Sequence, residues 1–171
     1  MKNLRVISLF SVIFFLLPGQ PQIEGKLPPG AQKAFPEAGK VRIVRDTYGL
    51  PHIFATNEPD AMYGLGYATA EDRLNQIFTT MYIAEGRLAE LTGEKDDLES
   101  DILFRSFRFK QRADALFNEM KPEFRALVVY YCRGISDFIQ EHREKVPDWI
   151  TGFEPSDMMA IAFLMNARGS F

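Results

Sequence analysis

Residues 41–93 read VRIVRDTYGLPHIFATNEPDAMYGLGYATAEDRLNQIFTTMYIAEGRLAELTG. The stretch opens with alternating side chains at residues 41–45, and a second short apolar run follows at residues 52–55; both patterns are typical of half-buried strands. Between the runs, Gly49 can adopt a positive φ, and Pro51 favours an extended conformation for the residue before it. The chain should turn there, and these residues predict a β-hairpin.

The remainder of this stretch predicts one long amphipathic helix. Asn57 is suited to cap its N-terminus, Pro59 and Asp60 suit its first turn, and Gly93 is suited to end it. Apolar side chains recur at spacings of three and four, the period of one helix face. They are Tyr63, Tyr67, Ala70, Leu74, Ile77, Met81, Ala84, Leu88 and Leu91. That face must be buried.

Three glycines, Gly64, Gly66 and Gly86, lie inside this helical pattern. Each costs about 1 kcal/mol relative to Ala in a helix interior. The first pair is flanked by tyrosines, and two interpretations fit it. Either another backbone passes close to this part of the helix, or the helix begins later than the apolar stripe.

The second half of the chain predicts three further helices. One should span about residues 100–120, and its N-terminal half is apolar on more than one side, so it should need cover from other polypeptide. The next should span about residues 122–142, with Gly134 inside it in a position compatible with close packing. Residues 155–157 should start the last helix, 158–168, which is apolar nearly all round. No preceding segment offers evident cover for it, so we expect that further polypeptide should follow.

The N-terminus predicts export. Basic residues precede an apolar run at residues 6–17, so residues 1–19 are interpreted as a signal peptide, and the Pro- and Gly-rich residues 20–39 as a linker. The apolar run is shorter than the roughly 20 residues that span a bilayer. We therefore expect a periplasmic or secreted protein without stable membrane insertion, and a weakly inserted anchor is the alternative.

Composition bounds the fold class and the kinds of partner. A hydrophobic content of 46% supports a packed core, and the net charge of −3 is spread along the chain, so no nucleic-acid partner is expected. Cys132 is the only cysteine, which excludes an intrachain disulfide. Its apolar helical surroundings favour a buried structural thiol over a nucleophile.

The residues alone show no complete active site. Two histidines and one cysteine do not make a convincing zinc site, and His52 is interpreted as a hydrogen-bonded turn or core histidine. The charged clusters at residues 71–73 and 85–87 could be acid–base groups. A solvent-facing helix surface with ion pairs, formed by Asp72, Arg73 and Arg87, is the favoured interpretation.

Three blocks carry a family resemblance: RDTYGLPHIFA at residues 45–55, DAMYGLGYATAEDRLNQI at residues 60–77 and AEGRLAELTG at residues 84–93. In this order and at this spacing they resemble the start of the first chain of the penicillin acylase family, amide hydrolases of the N-terminal-nucleophile class. Weaker similarity continues through Trp149 and residues 155–168. The resemblance thus covers most of the chain after about Lys40.

The resemblance implies an α+β fold. The complete protein would form the family's αββα sandwich of two antiparallel sheets covered by helices, and this part would be mainly helical with one N-terminal β-hairpin. Residues 40–171 would be the first-chain region of a precursor that cleaves itself. The new N-terminal Ser of the second chain, downstream of Phe171, would attack the amide with its own α-amine as base. No catalytic residue is then expected in this chain.

The resemblance also implies a substrate-binding contribution from the last helix. Met165, Asn166 and Arg168 lie nearest to the family's Met-Ala-Asn-Arg-Phe stretch, with a register ambiguous by one residue. A Met there would suit an apolar acyl group. Plain core packing of this helix is the alternative. The family needs no cofactor; where calcium binds, the first chain's acidic ligand lies beyond this helix, so no metal ligand is expected here, although calcium remains possible in the complete enzyme.

Two functions follow as expectations. The leading one is hydrolysis of amides with an apolar acyl group, such as penicillins or acyl-homoserine lactones, with the second chain of the precursor as partner. The alternative is an exported helical protein that binds a partner or hydrophobic ligand through exposed apolar helices, or a decayed acylase fragment without catalysis.

Overall fold

The computed structural model describes residues 40–168, which form two compact units, one up to Ala61 and one from Met62 onward. The predicted signal peptide and the whole predicted linker lie outside the described residues. The elements are β1 (Arg42–Arg45), β2 (Pro51–Phe54), α1 (Glu58–Glu85), α2 (Leu88–Thr92), α3 (Asp97–Phe107), α4 (Phe109–Glu119), α5 (Pro122–Glu141), a 3-10 turn (Arg143–Lys145) and α6 (Pro155–Arg168). The prediction of a mainly helical chain with one N-terminal hairpin is confirmed. No helix in this range is long and apolar enough to cross a membrane.

The hairpin forms where it was predicted. β1 and β2 pair antiparallel, with Ile43 opposite Ile53 and Val44 opposite His52. Gly49 has φ +82° in the turn. The buried Asp46 fixes the turn, because its Oδ1 accepts the backbone N–H groups of Tyr48 and Leu50 at 2.8 and 3.0 Å. An aspartate that bonds the backbone two residues ahead is a frequent turn former.

Helix α1 starts as predicted but ends earlier. Asn57 Oδ1 accepts the N–H of Asp60 at 2.8 Å, which is an N-cap contact. The predicted single helix to Leu91 is wrong: α1 is kinked at Arg73 (φ −141°, ψ 24°) and ends at Glu85, Gly86 takes φ +66°, and α2 is a separate helix. A β-carbon on Gly86 would lie 2.4 Å from the carbonyl oxygen of Asp101 in α3, so the chain turns here against another backbone. Gly93 ends α2 with φ +74°, as expected of a helix-ending glycine.

Two glycines bring α1 and α5 together. A β-carbon on Gly66 would lie 2.0 Å from the carbonyl oxygen of Tyr131, and one on Gly134 would lie 2.1 Å from that of Tyr63. The two helices can approach this closely only because neither glycine carries a β-carbon. The prediction that another backbone passes close to the first part of the long helix is confirmed, and the alternative of a late helix start is wrong.

Tyrosines reinforce the same crossing. The Tyr63 hydroxyl donates to Asp137 Oδ2 at 3.0 Å, and the Tyr67 hydroxyl donates to Glu141 Oε2 at 2.8 Å. Burial, followed by the hydrogen bond to a carboxylate, raises the pKa of each tyrosine to about 12. Burial also raises the pKa of the Cys132 thiol to about 12, and the predicted buried structural thiol is confirmed.

We expect the unit from Met62 onward to lose stability in alkali. The folded protein holds Tyr63, Tyr67 and Cys132 in their protonated forms, with pKa values above the ordinary values of 10.0 and 9.0. The resulting stability is fully present below about pH 9 and is lost as the pH rises towards 12. Urea unfolding at stepped pH measures it. Tyr63→Phe should flatten the decline, whereas Tyr48→Phe at an exposed turn should leave it unchanged.

The predicted helix at residues 100–120 is two helices. Arg108 interrupts it with φ 54° and ψ 43°, so α3 ends at Phe107 and α4 begins at Phe109. A left-handed conformation is costly for any residue with a β-carbon. Because Arg is ordinarily a good helix former, the break had no signal in the sequence.

Arg108→Gly should therefore raise stability. Relief of the left-handed strain exceeds the extra freedom that Gly gives the unfolded chain, for a net gain of about 0.5 kcal/mol. Thermal or urea unfolding measures it. Ala115→Gly, at an exposed position inside α4, is the matched control and should cost about 1 kcal/mol. A loss of stability in Arg108→Gly would show that the left-handed conformation does not strain Arg108.

The buried residues form two apolar clusters. The first lies between α1, α5 and the loop before α6, and its fully buried side chains are Phe78, Ile135 and Ile150. The second joins α4 to α6 through Phe109, Ala113, Ala160 and Leu164. The expectation that α6 lacks cover within this chain is thus wrong for two sides of the helix, because α4 covers one side and the first cluster another, while Ala162, Met165 and Asn166 are exposed.

Candidate functional site

A cavity of about 660 Å³ opens where the end of α1, the α3–α4 junction and the start of α6 meet. Its apolar wall includes Met81, Phe104 and Phe109, and charged side chains occupy the rest. Concave sites that combine an apolar wall with a few converging polar groups are where ligands usually bind. The charged groups around this cavity are therefore the candidate site.

Lys110 is the centre of the charged cluster. Its ammonium group contacts Asp157 directly and lies 3.8 Å from Glu85 and 3.7 Å from Glu154. Burial alone would lower the pKa of Lys110, but the hydrogen bond and charge of Asp157, with the other carboxylates, raise it above its ordinary value. Asp157 is buried and also accepts the N–H of Glu154 at 2.8 Å, which caps α6. One ammonium group thus joins the end of α1 and the start of α6 to the start of α4.

Arg87 forms a second set of ion pairs beside the first. Its guanidinium lies 2.9 Å from Glu85 and 2.8 Å from Glu90, and over the ring of Tyr82 at 4.8 Å. The hydrogen bonds to Glu90 and Glu85 raise the pKa of Arg87. The predicted structural ion pairing of Arg87 is confirmed. Ion pairs of Asp72 and Arg73, both on exposed α1 surface, stay a prediction.

Asp101 was missed by the sequence analysis. This buried residue of α3 accepts the N–H groups of Leu88 at 2.8 Å and Ala89 at 2.9 Å, and so caps α2 from a neighbouring helix. Arg105, one turn on, donates from Nε to the carbonyl of Gly86 at 3.0 Å. A local capping pattern could not reveal this, because the cap comes from a residue 13 positions downstream of Leu88.

These contacts decide what the cluster can do chemically. Asp157 and Glu85 pair with Lys110, and Asp101 accepts backbone N–H groups, so the cluster fixes helix ends. The described part of the chain contains no group of three or more His, Cys, Asp or Glu side chains that could hold a metal ion. Cys132, with its raised pKa, is a poor nucleophile.

His52 lies in the hairpin unit. Its Nε2 is 3.2 Å from Oδ2 of Asp46, the aspartate that fixes the turn. Burial would raise the pKa of Asp46, but hydrogen bonds from His52, Tyr48 and Leu50 outweigh burial and lower it. The interpretation of His52 as a hydrogen-bonded turn histidine is confirmed.

The predicted substrate-binding residues lie away from the cavity. Met165 is 51% exposed, and Asn166 is exposed and donates to the carbonyl of Ala162 at 2.9 Å. Arg168 is the last residue of α6. Met165 and Asn166 share the uncovered side of this helix, about two turns beyond the Asp157 end that borders the cavity. Their binding role stays a prediction.

Comparisons with known proteins give one consistent result. The family model described as penicillin amidase matches residues 40–170. Acyl-homoserine lactone acylase QuiP of Pseudomonas fluorescens is 37% identical over 123 residues, which are 71% of this chain and 15% of that protein. Penicillin acylase 2 proenzyme of Pseudomonas sp. (strain SE83) is 34% identical over 119 residues, 68% of this chain and 15% of the proenzyme.

A solved structure extends the comparison to three dimensions. A chain of a thermostable penicillin G acylase from Alcaligenes faecalis matches with a TM-score of 0.64 and 26% identity. The match covers 77% of this chain and 74% of that chain, so the two chains are of similar length. The curated relatives are much longer, and this chain spans about 15% of each of the two named above.

Proposed function

Since this chain belongs to the penicillin amidase family, we propose that it is the N-terminal part of an exported enzyme that hydrolyses the amide bond of N-acyl compounds. The observation that carries the proposal is the family match across residues 40–170, together with relatives named for acyl-homoserine lactones and for penicillins. Both names describe an amide whose acyl group is removed. The shared chemistry is the basis for the substrate class.

The proposed enzyme consists of two chains, of which this is the first. Chain lengths support this division: the 171 residues match a small fraction of each curated relative but most of one chain in a solved acylase. One of the relatives is named a proenzyme, which is the term for a precursor that is cleaved. The second chain would carry the catalytic groups.

The proposed nucleophile is the N-terminal Ser of that second chain. Its hydroxyl would lose a proton to its own α-amine and bond to the acyl carbon, and collapse of the tetrahedral intermediate would release the amine. Water would then cleave the resulting ester and release the carboxylic acid. This assignment agrees with the described residues, in which the carboxylates beside the cavity are held in ion pairs and the one thiol is buried. The mechanism needs no cofactor.

Helix α6 is the proposed contribution of this chain to the acyl pocket. Met165 presents a flexible thioether on the uncovered side of the helix, next to Asn166, while Leu164 is fully buried in the second cluster. An apolar acyl chain would lie against Met165, because thioether side chains adapt to apolar ligands. Arg168 would lie at the end of the same helix.

An assay of the complete protein tests the proposal. We expect release of homoserine lactone from N-acyl homoserine lactones, or of the amine nucleus from penicillins, and loss of both when the N-terminal Ser of the second chain becomes Ala. Met165→Ala should lower kcat/KM for long acyl chains about tenfold with little change for short ones. Val129→Ala, which truncates an exposed apolar residue of α5, is the control. A matured protein that cleaves no N-acyl amide in a broad panel would overturn the proposal.

A second function has one observation in its favour. Several large apolar side chains of α3 are exposed, as a partner-binding protein would require. If the 171-residue chain is cooperatively folded, monodisperse and without any catalytic second chain, an exported interaction protein explains it better than an amidase. Aggregation of the isolated chain would favour the enzyme fragment instead.

A further inference from the structure

Helix α3 bonds its own chain through three polar side chains and packs Phe104 against the second cluster, while four other large apolar side chains are exposed. Asp101 caps α2, Arg105 bonds the Gly86 carbonyl, and Asp97 accepts the Thr92 hydroxyl at 2.6 Å. These contacts attach the polar side of the helix to its own chain. An amphipathic helix at a protein surface ordinarily has the opposite orientation.

The opposite side of α3, here called its outer face, consists of Leu98, Ile102, Leu103 and Phe107. Their exposed fractions are 49%, 71%, 53% and 36%. Leu98 and Ile102 are one helical turn apart, and so are Leu103 and Phe107, so the four form two rows, with Glu99 and Ser106 between the rows. Single exposed leucines are ordinary, but four large apolar residues exposed on one 11-residue helix are more than scattered surface exposure.

We propose that the outer face of α3 docks against the second chain of the same enzyme. This inference rests on the proposed function, because it takes its partner from there. The polar side of α3 is already occupied by α2 and the Gly86 turn, so the side that is left, with its four large apolar residues, suits a mainly apolar partner surface. About 85% of a relative such as the QuiP acylase lies outside the region that matches this chain, which supplies ample polypeptide to cover it.

Charge defines one edge of the proposed contact. Arg105 lies beside Leu98 and Ile102 on the helix, and the exposed Arg108 follows the end of α3. Only Glu99 brings negative charge to the outer face itself. We therefore expect the partner to present apolar side chains to the two rows and an acidic side chain near Arg105 and Arg108.

Thiol labelling of the complete protein tests the contact. In separate variants, Ile102→Cys and Val129→Cys each add one thiol, and the native Cys132 does not interfere because it is buried. In the chain by itself Ile102 is 71% exposed and Val129 is 41% exposed, so exposure alone predicts faster labelling at position 102. Docking predicts the reverse order, with Cys at 102 labelled at least about tenfold more slowly than Cys at 129.

The outcomes separate this inference from the proposed function. Labelling at 102 that is as fast as at 129 overturns the docking proposal, whether or not the protein hydrolyses amides. Protection that disappears on dilution of the complete protein also overturns it, because the face would then bind a second copy. Protection in a protein without amidase activity would leave the contact standing and remove only the function. Leu98→Cys should repeat the result if Ile102→Cys alters folding.

Discussion

Replacing Gly66 by Ala should destabilise the helical unit by about 3 kcal/mol or more, and Gly134→Ala should do the same. The added methyl of the first variant would lie 2.0 Å from the backbone oxygen of Tyr131, and that of the second 2.1 Å from the backbone oxygen of Tyr63. Backbone atoms cannot rotate away as a side chain can. The two helices must separate, and the hydrogen bonds of Tyr63 and Tyr67 across the crossing would lengthen with them.

Urea unfolding followed by circular dichroism measures this effect. Gly152→Ala is the matched control, because no atom lies within 4 Å of the position its β-carbon would take, and it should change stability by less than about 0.5 kcal/mol. Stability of Gly66→Ala equal to that of Gly152→Ala would show that α1 and α5 do not cross at this distance.

Lys110→Met should cost about 3 kcal/mol. The substitution keeps most of the side-chain volume but leaves the buried Asp157 and the nearby Glu85 without their shared cation, and an unpaired buried charge is far more costly than a lost surface pair. The start of α6 should loosen first, since Asp157 also caps that helix. Hydrogen exchange of the first turn of α6 should rise along with the loss of global stability.

Lys145→Met is the comparison for this substitution. Lys145 lies 3.9 Å from Glu144, with both side chains more than 60% exposed, so its loss should cost close to nothing. Lys110→Arg should retain most of the stability. If Lys110→Met were as stable as Lys145→Met, the Lys110 cluster would not be what holds the helix ends together.

Local chemistry explains which elements could be predicted from the sequence. The hairpin, the Asn57 cap, α5 and the start of α6 all depend on residues adjacent in sequence, so their patterns were readable. The break at Arg108 and the cap by Asp101 were not, because each involves another segment: Phe104 and Phe109, on either side of the break, both pack in the second cluster, and Asp101 caps a helix that precedes it.

The site was less predictable than the fold for the same reason. Lys110 and Asp157 are separated by 47 residues, and neither stood out in its own segment. The Arg87 ion pairs were anticipated, since Glu85 and Glu90 are close to it in sequence. Met165, Asn166 and Arg168 came from a family resemblance, and their binding role awaits the substrate assays.

The crossing of α1 and α5 joins two helices that are synthesised several seconds apart. Tyr63 and Asp137, which bond across it, are separated by 74 residues. At roughly 5 to 20 residues per second, the later helix leaves the ribosome about 4 to 15 seconds after the earlier one. During that interval the apolar stripe of α1 has no partner from α5. A nascent chain in this condition is a natural client for a holding chaperone, and slower translation between the two helices would lengthen the period in which it can aggregate.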